Sequence, residues 1–355
     1  MKNISIHIGF NKAASSYFQE ILRLNENLLR ENNFYYPFEK KNLIKERTLQ
    51  KGNGIELMRY LRKSEWVKIE KYLIKIYKNA PEGSVSFISN ESILHFLIEE
   101  NNLKRLENLI LKIGFNNLSY IIFFRNLYHH AISAYCHRAG TGRMNNFENW
   151  IYNKEKNNTL YMERYEIWEQ LYKLNKNFLV SDRLPNIKSI LVGKDLDSQI
   201  SNLLKIKNLK KPKKKVNISI SLDEAILINK IFEYSPLTAK ICRSKCKSLI
   251  KASKPKNKIL LLRYSGLIKQ HIKNNIVVIN EIEKKLNLDS ISEETINLSE
   301  SNKNETNLEF NSMQINTFLE AYKETKPLTI KYLKYQLNYL FLKMKLITKK
   351  FFKFI

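Results

Sequence analysis

Cysteine is scarce in this chain, with three in 355 residues: Cys136, Cys242 and Cys246. Three thiols do not form an even disulfide set, and the simplest reading is free thiols in a reducing compartment. Cys242 and Cys246 share one helical face by spacing, and neither has a second Cys/His pair at zinc-finger distance, so no metal site is expected. Long apolar runs are missing too: none approaches the roughly 20 residues of a membrane-spanning helix. Met1-Lys2-Asn3 leads at once into a strand pattern, without the apolar core of a signal peptide. These absences give the expectation of a cytoplasmic protein. There is no internal repeat, zinc finger, RNA-recognition signature or stripe of arginine interleaved with aromatics, which argues against a nucleic-acid partner.

Acidic residues are outnumbered, 34 Asp and Glu against 61 Lys and Arg, for a formal net charge of +27. Such a surplus suits an acidic partner: an anionic cofactor, a polyanionic glycan, an anionic membrane or nucleic acid. The basic residues are mostly lysine and accompany abundant Asn and Ile, the trio that an AT-rich coding bias produces, so part of the charge is compositional. The length suffices for one large core or two smaller ones.

What is present concentrates at the N-terminus. Ile4, Ile6 and Ile8 alternate as in a strand, Gly9 breaks the pattern, and a helix-like run starts near Ser15 and continues through Leu24. A strand, a tight loop and a helix N-terminus thus meet around Lys12. That junction makes an anion site from loop N–H groups, the helix dipole and a full positive charge. Ser15 and Ser16 can cap the helix or donate to an anion. The alternative is an ordinary β–α turn with a solvated lysine. The phosphate loop of nucleoside triphosphatases ends in Gly-Lys-Ser/Thr; here Ala13 follows Lys12, which weighs against a nucleotide kinase or NTPase.

Two further segments carry chemistry. Leu118 to Phe124 is a near-continuous apolar run, as in a buried strand, and ends at Arg125, at the carboxyl edge where open α/β sheets bind ligands. Ser133 follows about two turns into the next helix. The guanidinium fork suits a phosphate and a serine hydroxyl can complete the cradle; alternatively Arg125 caps a sheet edge and Ser133 bonds locally. Ser84 to Ser92 reads as a strand running into a polar turn at Asn90-Glu91. Glu91, in that turn, is a carboxylate that can rest on a helix dipole. His7, just before the loop, is a candidate base or a structural histidine.

The segment from His7 through Ile8, Gly9 and Lys12 to Ser15 and Ser16 resembles the 5′-phosphosulfate loop of sulfotransferases that use 3′-phosphoadenosine 5′-phosphosulfate (PAPS). In bacterial carbohydrate-type members that stretch often reads His-Ile-Gly-x-x-Lys-Thr-Gly-Thr-Thr. Asn11 stands where proline is common, Ala14 where glycine is usual, and Leu127 replaces the proline after Arg-Asn. The resemblance implies a sulfotransferase with PAPS as co-substrate and no metal. Lys12, Ala13, Ala14, Ser15 and Ser16 would surround the 5′-phosphosulfate, Arg125 and Ser133 the 3′-phosphate, and Glu91 or His7 would be the catalytic base beside Lys12. The implied acceptor is a hydroxyl, on a glycan by analogy with the family. A non-catalytic or degenerate anion- or nucleic-acid-binding protein of the same fold is the alternative. The resemblance is specific over about residues 1–140, loose to about 235 and thin beyond.

The expected fold is α/β, a mainly parallel doubly wound sheet with a phosphate-binding loop, plus a helical C-terminal part. Residues 1–325 form a sulfotransferase-like domain, with an α/β core over 1–209 and a mostly helical remainder over 210–325. Helices are expected over 19–31, 65–79 and 161–173, and a strand over 178–181. The segment 137–143 is a basic, Gly-bearing loop facing an acceptor or a plain connection. The segment 210–215 is a basic break, Ser221 and Glu224 form a capping box, and 290–310 are loops. Residues 326–355 make a basic amphipathic tail, a surface helix on anionic lipid at the inner membrane or one packed on its own domain.

Overall fold

A computed structural model describes residues 1–37, 52–99, 101–141, 147, 150, 167–180, 184–193, 195–212, 220–248, 266, 268–288, 291 and 312–325. The tail 326–355, and the segments 142–146, 161–166, 181–183, 213–219 and 292–311, named above in whole or part, lie outside the described residues. The chain divides into two compact units. The first comprises the described residues within Met1–Ala134, Tyr165–Ile218 and Ser265–Ser299, the second those within Tyr135–Arg164, Ser219–Tyr264 and Glu300–Ile355.

The first unit is α/β. Its strands β1 (Asn3–Gly9), β2 (Phe34–Tyr35), β3 (Val85–Ser89), β4 (Leu118–Arg125) and β5 (Ile187–Val192) form one sheet in the order β2-β3-β1-β4-β5. Every pairing is parallel. Helices α1 (Ser15–Leu24) and α2 (Glu26–Glu31) follow β1, and α3 (Ile55–Arg62) and α4 (Trp66–Asn79) precede β3. Next come α5 (Ile93–Leu97), α6 (Asn102–Ile113) and, after β4, α7 (Leu127–Arg138). The central strands are buried along almost their whole length, which is why β4 reads as an apolar run instead of an alternating one. From β1 the chain moves towards β3 and β2; from β4 it moves the other way, to β5. The connections therefore diverge between β1 and β4, the topological switch point at which open α/β sheets bind ligands beyond their carboxyl ends.

Aromatic packing fixes α1 on this sheet. Phe18 is fully buried and packs its ring on His7, Phe87 and Phe123, with centroids 5.3, 5.6 and 4.9 Å away. Ile21 and Leu22 continue the same buried face. The helices over 65–79 and within 19–31 form as their apolar spacing indicates.

Over 178–180, the described part of the strand expected at 178–181, no strand is formed. Leu174–Phe178 is a π-helical turn, Leu179 and Val180 are irregular, and the edge strand is Ile187–Val192. The apolar run is there to bury, with Phe178 packing its ring 5.0 Å from Tyr120, but a short apolar run does not by itself distinguish a strand from the buried end of a helix. Trp168 lies on the helix Ile167–Lys173 that precedes this turn.

In the second unit, the helix Leu222–Tyr234 opens with a full capping box: Ser221 Oγ accepts from the Glu224 N–H at 3.2 Å, and Glu224 Oε2 from the Ser221 N–H at 2.8 Å. Asn229 ties this helix to the 137–141 segment, donating to the Tyr135 hydroxyl at 2.9 Å and accepting from the Gly140 N–H at 2.9 Å. Cys242 and Cys246 share the helix Pro236–Ser248, and both are buried. Among the described residues no helix is long and apolar enough to cross a membrane.

Candidate functional site

Three neighbouring strands, β3, β1 and β4, end side by side, and each delivers one of the residue groups singled out from the sequence. Beyond β1 lies the Lys12 loop, beyond β3 the Asn90-Glu91 turn, and at the end of β4 Arg125. The register between β1 and β4 shifts between His7 and Gly9, and the Phe10 N–H donates to the Phe123 carbonyl at 2.9 Å. Such irregularities re-aim a chain as it leaves a sheet. Gly9 lies close under α5: a Cβ there would stand 3.1 Å from Leu94 Cδ2 and 3.2 Å from Leu94 Cβ, so the Leu94 side chain would have to give by a few tenths of an ångström.

The loop has a left-handed backbone at two non-glycine positions, Lys12 at φ 66° and Ala14 at φ 59°. Ala14 is the N-cap of α1 and supplies no capping side chain. Its conformation is the one glycine adopts without steric cost, and an alanine there costs on the order of 1–2 kcal/mol. Neither serine is the N-cap. Ser15 and Ser16 are the first two helical residues, and Ser15, 4% exposed, turns its hydroxyl back to the Phe10 carbonyl at 3.2 Å. Ser16 and Lys12 are partly exposed, while the Ala13 side chain is buried and its N–H donates to the Phe10 carbonyl at 3.3 Å.

The carbonyl edge of this loop is held from three directions. Besides Ser15 on Phe10, His130 Nε2 meets the Asn11 carbonyl at 2.7 Å, and Arg125 Nη1 donates to the Lys12 carbonyl at 3.4 Å. Ser92 Oγ also reaches Asn11 Oδ1 at 3.4 Å, which links the loop to the turn after β3. Arg125 and Lys12 are thereby brought together. Ser133 is partly exposed on α7, three residues beyond His130 and so on a neighbouring part of the face that His130 turns to the loop. Asn126 caps α7, its Oδ1 accepting from the N–H groups of Tyr128 at 3.0 Å and His129 at 3.4 Å. With leucine at position 127 in place of proline, that residue keeps an N–H, which donates to the Ile291 carbonyl at 3.1 Å.

Glu91 and His7 belong to one hydrogen-bonded chain. His7 Nδ1 lies 2.8 Å from Ser89 Oγ, and Gln19 Nε2 donates to Ser89 Oγ at 3.3 Å and to Glu91 Oε2 at 3.1 Å. The two ends differ in access. Glu91 is partly exposed; His7 has 0% exposure and is enclosed by Phe18 and Phe123. Burial pushes the His7 imidazole down to about 3, against a smaller opposing effect of the Gly9 backbone, so it is neutral. An enclosed neutral histidine bonded to a serine orients its neighbours; Glu91 is the carboxylate that solvent reaches. Behind them, Asn53 accepts from the Ser89 N–H at 2.8 Å and donates to the Phe87 carbonyl at 2.8 Å. Gly52 passes so close that a Cβ would fall 1.9 Å from the Ser89 carbonyl oxygen and 2.7 Å from Gln19 Nε2.

Gln19, His130 and residues 52–54 had escaped the sequence reading. His130 stands out in the sequence only as one of two consecutive histidines after Asn126-Leu127-Tyr128, and its spacing to Asn11 is purely tertiary. Gln19, one turn beyond Ser15, carried a weak signal: it is a polar residue on the apolar face of α1 and is 5% exposed. Near this site, Tyr17 donates its hydroxyl to Asp197 Oδ1 at 2.6 Å; burial and this carboxylate push the phenol up to about 12. Among the described residues no group of His, Cys, Asp and Glu could hold a metal ion. Against protein-family models, curated proteins and solved structures, the chain matches none.

Proposed function

We propose that this chain is a sulfotransferase that moves the sulfuryl group of PAPS to an acceptor hydroxyl, on a glycan by analogy with the family it resembles. The observation that carries the reading is the meeting of the Lys12 loop and Arg125 at the switch point of a parallel sheet, joined by the Arg125 to Lys12 hydrogen bond. The donor's chemistry is in-line displacement: the bond from sulfur to the 5′-phosphate oxygen breaks, one from sulfur to the acceptor oxygen forms, and the acceptor proton leaves to a base.

The residues fit such a ligand. A left-handed residue leading into a helix N-terminus makes a concave set of N–H groups that suits an anion, and Lys12 adds a full charge beside it. In the reaction these groups would stabilise negative charge growing on a departing phosphate. Arg125, whose guanidinium presents a planar fork suited to a phosphate, would with Ser133 position the 3′-phosphate. Glu91 would take the acceptor proton at Oε1, its Oε2 being held by Gln19.

A second reading, anion binding without transfer, is favoured by Ala14, whose left-handed backbone places strain in the loop. Conversion of PAPS to adenosine 3′,5′-bisphosphate in the presence of sugar and phenolic alcohols separates the two. Sulfotransferase activity requires turnover that Glu91→Gln lowers by about a hundredfold or more without loss of nucleotide affinity. Nucleotide binding with no turnover leaves the second reading.

A further inference from the structure

We propose that His130 is the positioning residue of the Lys12 loop: through Nε2–H it pins the Asn11 carbonyl and so fixes which way the loop's N–H edge points. Its functional half rests on reading the loop as an anion site; the holding of the loop does not.

The geometry is specific. His130 is 7% exposed and sits on the face of α7 next to Asn126, the residue that caps this helix. Its acceptor is a main-chain carbonyl, which cannot donate, so the 2.7 Å contact requires the proton on Nε2. A neutral ring in that tautomer suffices. In a trans peptide the C=O and the next N–H point in opposite directions. Turning the Asn11 carbonyl towards α7 therefore turns the Lys12 N–H away from it.

The neighbouring restraints agree. The Phe10 and Lys12 carbonyls are taken by Ser15 and Arg125 at 3.2 and 3.4 Å, so the His130 contact is the shortest of the three. Carbonyl oxygens left facing an anion would repel it, and each one bonded from behind removes that penalty. Lys12 and Ala14 both hold left-handed backbone without glycine's freedom. Such conformations persist where the surroundings over-determine them, and His130 supplies part of that determination.

The test has three readouts. Nitrogen NMR of the wild-type protein gives the tautomer; the expected state is Nε2–H, and an Nδ1–H ring overturns the proposal without any variant. Amide hydrogen exchange at residues 11–16 is compared among wild type, His130→Phe and His130→Gln. The phenyl ring keeps the volume and loses the donor, while the glutamine amide can replace Nε2–H. Exchange about tenfold faster in His130→Phe and restored by His130→Gln supports the proposal; equal exchange in all three overturns it. Calorimetry with adenosine 3′,5′-bisphosphate then tests the functional half, with about tenfold weaker binding by His130→Phe and rescue by His130→Gln expected. Equal affinity in all three overturns that half. Should wild type bind no nucleotide while the exchange pattern holds, the sulfotransferase reading fails and the positioning role of His130 stands.

Discussion

Burial of His7 couples the stability of the first unit to pH. The folded state holds the imidazole neutral, with its pKa lowered from 6.5 to about 3, whereas the unfolded chain binds a proton below about 6.5. This contribution is therefore fully present above pH 6.5 and is lost as pH falls towards 3, at up to about 1.4 kcal/mol per pH unit. Urea unfolding at about pH 7.5 and pH 5 should show wild type losing about 2 kcal/mol more than His7→Gln. Equal losses would mean that His7 is not buried as a neutral ring. Ala14 gives a prediction of opposite sign. Ala14→Gly removes the left-handed penalty and adds unfolded-state entropy, for a net stabilisation of about 1 kcal/mol. A lower unfolding midpoint for that variant would contradict the φ of 59°.

At the scale of elements, α1 is held by its apolar face, and the loop before it inherits that rigidity. Phe18→Ala removes a ring that touches three others and should cost about 3–5 kcal/mol, read as a lower urea midpoint. Gly52→Ala should cost about 1–3 kcal/mol or more in the same assay, because its Cβ must displace backbone at the end of β3. A wild-type midpoint for Gly52→Ala would mean that residues 52–54 do not pack there.

Which elements form was largely legible in the sequence, because their signals are local. The alternation of Ile4, Ile6 and Ile8, the break at Gly9, the apolar run into Arg125 and the pairing of Ser221 with Glu224 each occupy a few residues, and all four appear as strand, loop, strand and capping box. What escaped is tertiary. Ser15 could turn to an N–H, an anion or a carbonyl, and only the path of the loop decides for Phe10. The reach of His130 to Asn11 and of Gln19 to Glu91 depends on helices docking across a sheet. The choice of 187–192 over 178–180 as edge strand depends on which segment finds β4.

For the whole molecule, the charge of +27 complicates any binding measurement. A surplus of that size attracts polyanions without a built site, and that attraction weakens steeply as salt rises. A site made of Lys12, the α1 N-terminus and Arg125 would instead distinguish anions by the placement of their phosphates. The most direct measurement is therefore calorimetric titration of the full chain with adenosine 3′,5′-bisphosphate and with ATP, at about 0.15 M salt, where the screening length is about 8 Å, on wild type and Arg125→Ala. The expected result is tighter binding of adenosine 3′,5′-bisphosphate than of ATP, weakened at least about tenfold by Arg125→Ala, as loss of a charge-assisted phosphate contact requires. Equal binding of both nucleotides, no binding, or an unchanged affinity in Arg125→Ala would contradict it.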